Sequence, residues 1–226
     1  MEKDIMLHYI SLVELLGLTL GPDYEIVLYD LRREDKSIIA IANGHVSGRT
    51  VGAPLTESSL KSIANKEYTN IDYKANYNSV SKNNKLLRSS SLYIKDGNNE
   101  LIGLLCINFD DSSFVEITKN IMSLCHPNEL INKNSFEKIE NIITSDESDN
   151  IGTSVEDVTR HAIQSVLKNI SVPLDRLTKE EKIEIVAQLN DRGIFMLKGA
   201  VPHVSKILHS SEATVYRYLS DLNSNK

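Results

Sequence analysis

The chain contains no tryptophan, few aromatic residues and only two cysteines, Cys106 and Cys125. Two cysteines cannot build a disulfide framework, and in a reducing compartment both are expected to be free thiols. No apolar run approaches the ~18 residues that span a bilayer, which excludes a transmembrane helix and membrane partnership. The opening Met1-Glu2-Lys3-Asp4 is charged and leads into no signal-peptide core, so cytoplasmic residence is expected. Also missing are GxSxG, a Walker loop, GxGxxG and HExxH, the spacings that place a nucleophile, a phosphate cradle or a catalytic zinc. The histidines are few and scattered. Cys125-His126 with His8, His45 or His161 shows neither CxxC nor HxxxH spacing. These absences point away from an enzyme and predict no cofactor and no metal.

What is present fits a folded chain. With 226 residues, 41% hydrophobic and 25% charged, it has room for one large domain or two small ones. The net charge of −6 speaks against nucleic-acid binding by the whole surface. Its distribution changes that reading. From Lys198 onward four basic residues (Lys198, Lys206, Arg217, Lys226) face two acidic ones (Glu212, Asp221), a local +2 that leaves −8 on the rest. A mildly basic end on an acidic body suits duplex contact through one small module, assisted by dimerisation.

Three parts follow from patterning: a sensor-like unit over residues 1–115, a linker over 116–152, and a helical unit over 153–226. In the first, a helix is expected over residues 4–20, with Ile5, Leu12, Leu15 and Leu16 among its apolar positions and Gly21-Pro22 as its stop. Strands are expected over residues 24–30, 37–42, 85–95 and 101–109, the last near-continuously apolar and central. A helix is expected over 55–66. Residues 70–84, rich in Asn, Ser, Lys and Tyr, read as loop, and 116–150 as polar and irregular. Asp96-Gly97-Asn98-Asn99 makes a hairpin turn, so the sheet is antiparallel there. The fold class is α+β, an antiparallel sheet with flanking helices followed by an all-α C-terminal unit. In that unit Thr153-Ser154-Val155-Glu156 and Thr178-Lys179-Glu180-Glu181 are capping boxes that start helices to about 169 and 189.

The most telling segment is the last. Val201, Val204, Ile207 and Leu208 form one helical apolar face, and Val215, Leu219 and Leu222 another, across a turn of about three residues. This is the geometry of a helix-turn-helix, whose second helix enters the DNA major groove. Ser211 is the expected N-cap, bonding near Thr214. Glu212, Ala213, Tyr216 and Arg217 are expected on the exposed face. Arg217 suits a phosphate or a guanine edge, Thr214 and Tyr216 a phosphate or thymine methyl, and Glu212 a cytosine amino group. Lys206, His203 and Lys198 are candidates for phosphate contact. The competing reading is a solvated helix face, or a tail that docks protein.

In the first unit, Asn43-Gly44-His45-Val46-Ser47-Gly48-Arg49 is the most site-like string. Arg49 suits a bidentate clamp on a ligand carboxylate, with Asn43, His45 and Ser47 as hydrogen-bonding partners. The alternative is a loop that only turns the chain. Arg88, Ser90 and Asn108 lie on strands as candidates to face the sheet interior, where Arg88 requires either a ligand acid or an internal carboxylate.

Several strings are more specific than periodicity. They are Leu20-Gly21-Pro22-Asp23-Tyr24-Glu25-Ile26-Val27-Leu28, Ile41-Ala42-Asn43-Gly44-His45-Val46-Ser47-Gly48-Arg49, Leu87-Arg88-Ser89-Ser90-Ser91 and Gly103-Leu104-Leu105-Cys106-Ile107-Asn108-Phe109-Asp110. Together with Gly193-Ile194-Phe195-Met196-Leu197-Lys198-Gly199-Ala200-Val201 and the final helix pair, they resemble the YheO/DauR-like bacterial transcriptional regulators over nearly the whole chain. The resemblance implies an N-terminal PAS-like domain, a C-terminal helix-turn-helix, and a DNA-binding regulator with a domain that senses a small-molecule ligand. A homodimer or higher homo-oligomer on double-stranded DNA is expected beside it, because the slight basic excess of one module binds weakly. The chain departs from that pattern at His209, where the family usually has Gly, at Ser210, usually apolar, and at Glu212, often basic. Position 209 is expected in the left-handed region, which Gly takes freely and His tolerates better than a branched residue.

Overall fold

The computed structural model describes residues 5–33, 37–125, 149–168 and 174–224. Helix α1 (Ile5–Leu20) precedes strands β1 (Tyr24–Asp30) and β2 (Ile38–Ala42). Helix α2 (Glu57–Ala64) follows, then β3 (Tyr73–Ser81), β4 (Leu86–Lys95) and β5 (Leu101–Asp110). Helix α3 (Ser112–Cys125) leaves the sheet, and β6 (Asp149–Ile151) rejoins it. The helices α4 (Val155–Leu167), α5 (Lys179–Asp191), α6 (Ala200–Ile207) and α7 (Glu212–Ser224) form the C-terminal half. The sheet order is β2-β1-β5-β4-β3-β6. The first five strands pair antiparallel, and β6 lies parallel to β3.

The apolar run of β5 places it at the centre, where both faces are covered. Ile26, Leu28, Ile94, Ile102 and Leu105 bury one face beneath Met6 and Val13 of α1. Val27, Tyr29, Tyr93, Leu104 and Cys106 pack on the other face in a core that includes Leu60 of α2. Helix α1 is apolar on nearly all sides, so spacing alone does not choose its buried face. Met6, Val13 and Gly17 are the residues that turn inward, while Ile5 and Leu15 stay exposed. The approach is close: a Cβ on Gly17 would stand 2.4 Å from that of Ala42.

Three expectations require correction. Residues 73–81, within the expected loop, form β3. The strand carries few apolar residues and gains its backbone partners from β4 and β6 instead, with Asn76 at φ +57° at its irregularity. The stretch read as irregular contains helix α3 to residue 125 and strand β6; the remainder of that span lies outside the described residues. The cap of α4 falls one residue later than expected: Ser154 accepts from the Asp157 backbone, while Thr153 hydroxyl donates to the Asp157 carboxylate. The box at Thr178 and Glu181 forms as the spacing requires.

The two halves share one core. Val158, Ile163, Ile185, Val186, Leu189, Ile194, Val204, Val215 and Tyr218 belong to the same buried cluster as Tyr29, Leu60 and Leu104. Helix α2 is the joint. Gly193, at φ +73°, follows α5 and presses on α2, so that a Cβ there would meet the Leu60 carbonyl oxygen at 2.7 Å. Beside it the Arg192 guanidinium reaches Glu57 at 2.7 Å and Ser165 at 3.0 Å, tying α2, α4 and the end of α5 together. Gly193→Ala combines a left-handed backbone with a clash against a carbonyl. It is expected to lower the unfolding free energy by about 1–3 kcal/mol in urea titration. Unchanged stability would show that this approach is not required.

Candidate nucleic-acid interface and polar sheet interior

The helix pair α6–α7 is built from buried anchors and an exposed edge. Val201, Val204 and Leu208 seat the first helix, and Val215 and Tyr218 seat the second. Between them His209 adopts φ +46°, the left-handed value the turn demands. The Ser210 amide closes the turn onto the Ser205 carbonyl at 2.9 Å. Ser211 caps α7: its hydroxyl accepts from the Thr214 amide at 3.1 Å and shares a 2.8 Å hydrogen bond with the Thr214 hydroxyl. With the first turn so fixed, Glu212, Ala213, Tyr216 and Arg217 stand exposed along one edge, Tyr216 by 58%. Arg217 lies 5.7 Å from the Tyr218 ring centroid, which supports its extension over the helix surface. Lys206 is exposed on α6, and His203 is half-buried. Thr214 is half-buried and committed to the cap. Tyr218, unremarked in the sequence, carries the core contact one turn beyond Val215.

The inner face of the sheet is polar at one end. Glu25, fully buried, accepts from the Ser47 amide at 3.3 Å and from the Ser47 hydroxyl, and from the Asn108 amide at 2.7 Å. Asn108 in turn accepts from Ser89 at 2.7 Å, and Ser89 hydrogen-bonds with Ser79. One register step along, Ser91 hydrogen-bonds with the Cys106 thiol at 3.1 Å and the Tyr77 hydroxyl at 2.8 Å. Arg49 is buried over the Tyr29 ring, 5.4 Å from its centroid, and donates to the Pro54 carbonyl. Burial pushes the Glu25 carboxyl above its ordinary range, opposed by the Ser47 and Asn108 hydrogen bonds and the Arg49 charge. Burial likewise raises the Tyr29 phenol.

Of the residues expected at a ligand site, the structure brings Ser47, Arg49 and Asn108 together. Asn43 is a tie instead: its amide donates to the carbonyls of Gly17, Gly21 and Tyr24, locking the end of α1 to the start of β1. His45 points to solvent. Arg88 and Ser90 do not face the interior. They sit one residue out of phase with Ser89 and Ser91, and Arg88 is exposed over the Phe109 ring at 5.1 Å on the opposite face. No internal carboxylate is needed there, because water solvates that guanidinium. The sequence reading missed Glu25, Ser79, Ser89 and Ser91. Glu25 shares its parity with Val27 and Tyr29, a signal available in the strand pattern.

A PAS-type sheet joined to a helix-turn-helix is the architecture of a DNA-binding regulator, and the comparisons agree with it. The family described as "YheO-like PAS domain" matches residues 1–126, and one described as "HTH domain" matches residues 158–220. The chain belongs to the YheO-like PAS family. It is 29% identical to YheO of Escherichia coli K12 over 224 residues, 99% of this chain and 87% of that one. A protein of Haemophilus influenzae is 29% identical over 222 residues, 98% and 92% of the two chains. The transcriptional regulator DauR of Pseudomonas aeruginosa is 26% identical over 217 residues, 95% and 93%. A solved RNA-binding light-oxygen-voltage receptor overlaps 50% of this chain and 37% of its own at 13% identity and a TM-score of 0.33, too loosely to add to the fold described above.

The burial of Glu25 has a pH signature. Its folded pKa lies above the ordinary 4.5, so the folded state holds the proton more tightly than the unfolded chain. That contribution is complete below the ordinary value and is lost as pH rises through the elevated one. Urea titrations from about pH 4 to 8 are expected to show the stability difference between wild type and Glu25→Gln moving steadily against wild type as pH rises. A difference independent of pH would contradict the assignment.

Proposed function

We propose that the chain is a cytoplasmic, non-enzymatic transcriptional regulator that binds double-stranded DNA as a homodimer and responds to a small molecule. In this reading residues 1–115 sense, 116–152 connect, and 153–226 bind DNA. The observation that carries it is the exposed edge of α7: a capped helix N-terminus presents Glu212, Tyr216 and Arg217 on a framework held by buried Val215 and Tyr218. Arg217 contacts a phosphate or guanine edge, Tyr216 a phosphate or thymine methyl, and Glu212 a cytosine amino group, while Thr214, its hydroxyl shared with the Ser211 cap, offers its methyl to a thymine methyl. Lys206 and His203 flank the groove as phosphate contacts. Two such helices related by a dyad fit half-sites about 10 base pairs apart. The regulator name borne by DauR supports this use of the fold. Among the described residues, no helix is long and apolar enough to cross a membrane.

The buried polar cluster around Glu25 and Arg49 supports a polar ligand, with Ser47, Asn108 and Arg49 as its contacts. A ligand shifts DNA binding only as far as it prefers one arrangement of the two reading helices over the other.

Gel-shift titration against DNA from upstream of its own gene tests this. Arg217→Ala is expected to weaken binding by about 1–3 kcal/mol, roughly 5- to 150-fold. If the contact is to phosphate, the slope of log affinity against log salt falls by about one. A folded dimer with no sequence-selective binding, or an Arg217→Ala variant of unchanged affinity, would contradict the proposal.

A further inference from the structure

Arg49 is a buried cation whose hydrogen-bonding capacity is not met. It is only 3% exposed. A guanidinium carries five N–H donors and no acceptor. Here it donates to the Pro54 carbonyl and stands within hydrogen-bonding reach of the Tyr29 hydroxyl, while its Nε–H meets no acceptor. Among the described residues no carboxylate stands within ion-pairing distance of it. Glu25 contributes its field, but the two Glu25 oxygens already accept from Ser47 and Asn108. Removing a guanidinium from water costs several kcal/mol, recovered only by well-placed acceptors. A guanidinium sealed away with a donor unused calls for one more acceptor.

The surroundings say what kind. In the loop over residues 44–50, His45, Gly48 and Thr50 are exposed, while Val46, Ser47 and Arg49 are buried. Residues on both sides of Arg49 in the chain, Gly48 and Thr50, thus reach solvent while its own side chain does not. Its flat fork matches a planar carboxylate. The Ser47 hydroxyl on the same loop donates to Glu25, so it offers a ligand only its oxygen as an acceptor, while Ser89 and Asn108 are hydrogen-bonded to each other on the sheet. The contact Arg49 already makes reports outward. Pro54 stands two residues before Thr56, whose hydroxyl accepts from Ser59 and caps α2. Helix α2 carries Leu60 and Glu57 onto Gly193 and Arg192.

We infer that Arg49 anchors a small carboxylate ligand inside the sheet domain, and that its bond to the Pro54 carbonyl passes occupancy to α2 and the DNA-binding half. This rests on reading the N-terminal half as a sensor and names the chemistry it senses.

The test uses the full chain with acetate, glycolate and succinate as probes, inorganic phosphate as a non-planar anion, and acetamide as an uncharged analogue. In the wild-type protein, NMR of the sheltered arginine Nε–H is expected to show a saturable shift with at least one carboxylate and none with phosphate or acetamide. Arg49→Lys, which keeps the charge but loses the fork, is expected to weaken that carboxylate at least about tenfold by calorimetry. Because the readout in the wild type needs no variant, misfolding of Arg49→Lys leaves it intact. No shift with any carboxylate, or an equal response to phosphate, would overturn the inference. DNA affinity that responds to an uncharged or cationic compound, without change at the Arg49 signal, would overturn it while leaving the sensor reading standing.

Discussion

Leu60 is shared by two structures that a sequence would divide. Fully buried, it belongs at once to the packing of α2 on the sheet and to the seat of Gly193 and the helices beyond. Burying such a side chain contributes about 1.5–3 kcal/mol, but its larger effect is geometric. Because Gly193 brings backbone against backbone, α2 and the end of α5 have one relative placement, not a range. The Arg192 contacts to Glu57 and Ser165 set the azimuth of that placement. The pair is partly exposed, so it adds direction more than stability. The position of α7 relative to the sheet follows from this joint.

The polar interior is the second constraint. A small sheet domain gains stability from apolar burial, and each buried polar group must recover its lost hydration. The chain of Ser47, Glu25, Asn108, Ser89 and Ser79 recovers it almost fully within itself. Arg49 does not. The contrast separates a closed network that joins neighbouring strands from a buried cation with an unused donor beside it. Both lie on the side of the sheet that faces α2, so chemistry in the interior and the joint to the DNA-binding half share one helix.

Much of this was legible from the residues alone. The central strand announced itself by its apolar run, and the turn of the final helix pair by its cap at Ser211 and the left-handed demand at His209. What stayed hidden has physical causes. Strand β3 is polar because neighbouring strands, not an apolar face, hold it. Alternation in β4 separates Ser89 and Ser91 from Arg88 and Ser90 but does not say which set faces inward; only pairing of Ser89 with Asn108 decides it. Glu25 and Asn108 are 83 residues apart, and no local pattern joins them. Asn43 fits a binding loop by composition, yet its amide is spent on three carbonyls of the chain itself. The contact of Gly193 with Leu60 has no sequence signal beyond the glycine.

Native-state hydrogen exchange of the full chain tests the shared core most directly. If α2 couples the halves, the slowest amides of α2 and α5 open with the same free energy and the same urea dependence, as one cooperative unit. Opening of α5 at a clearly lower free energy than α2 and the central strand would mean that the two halves stand independently, and the account would fail.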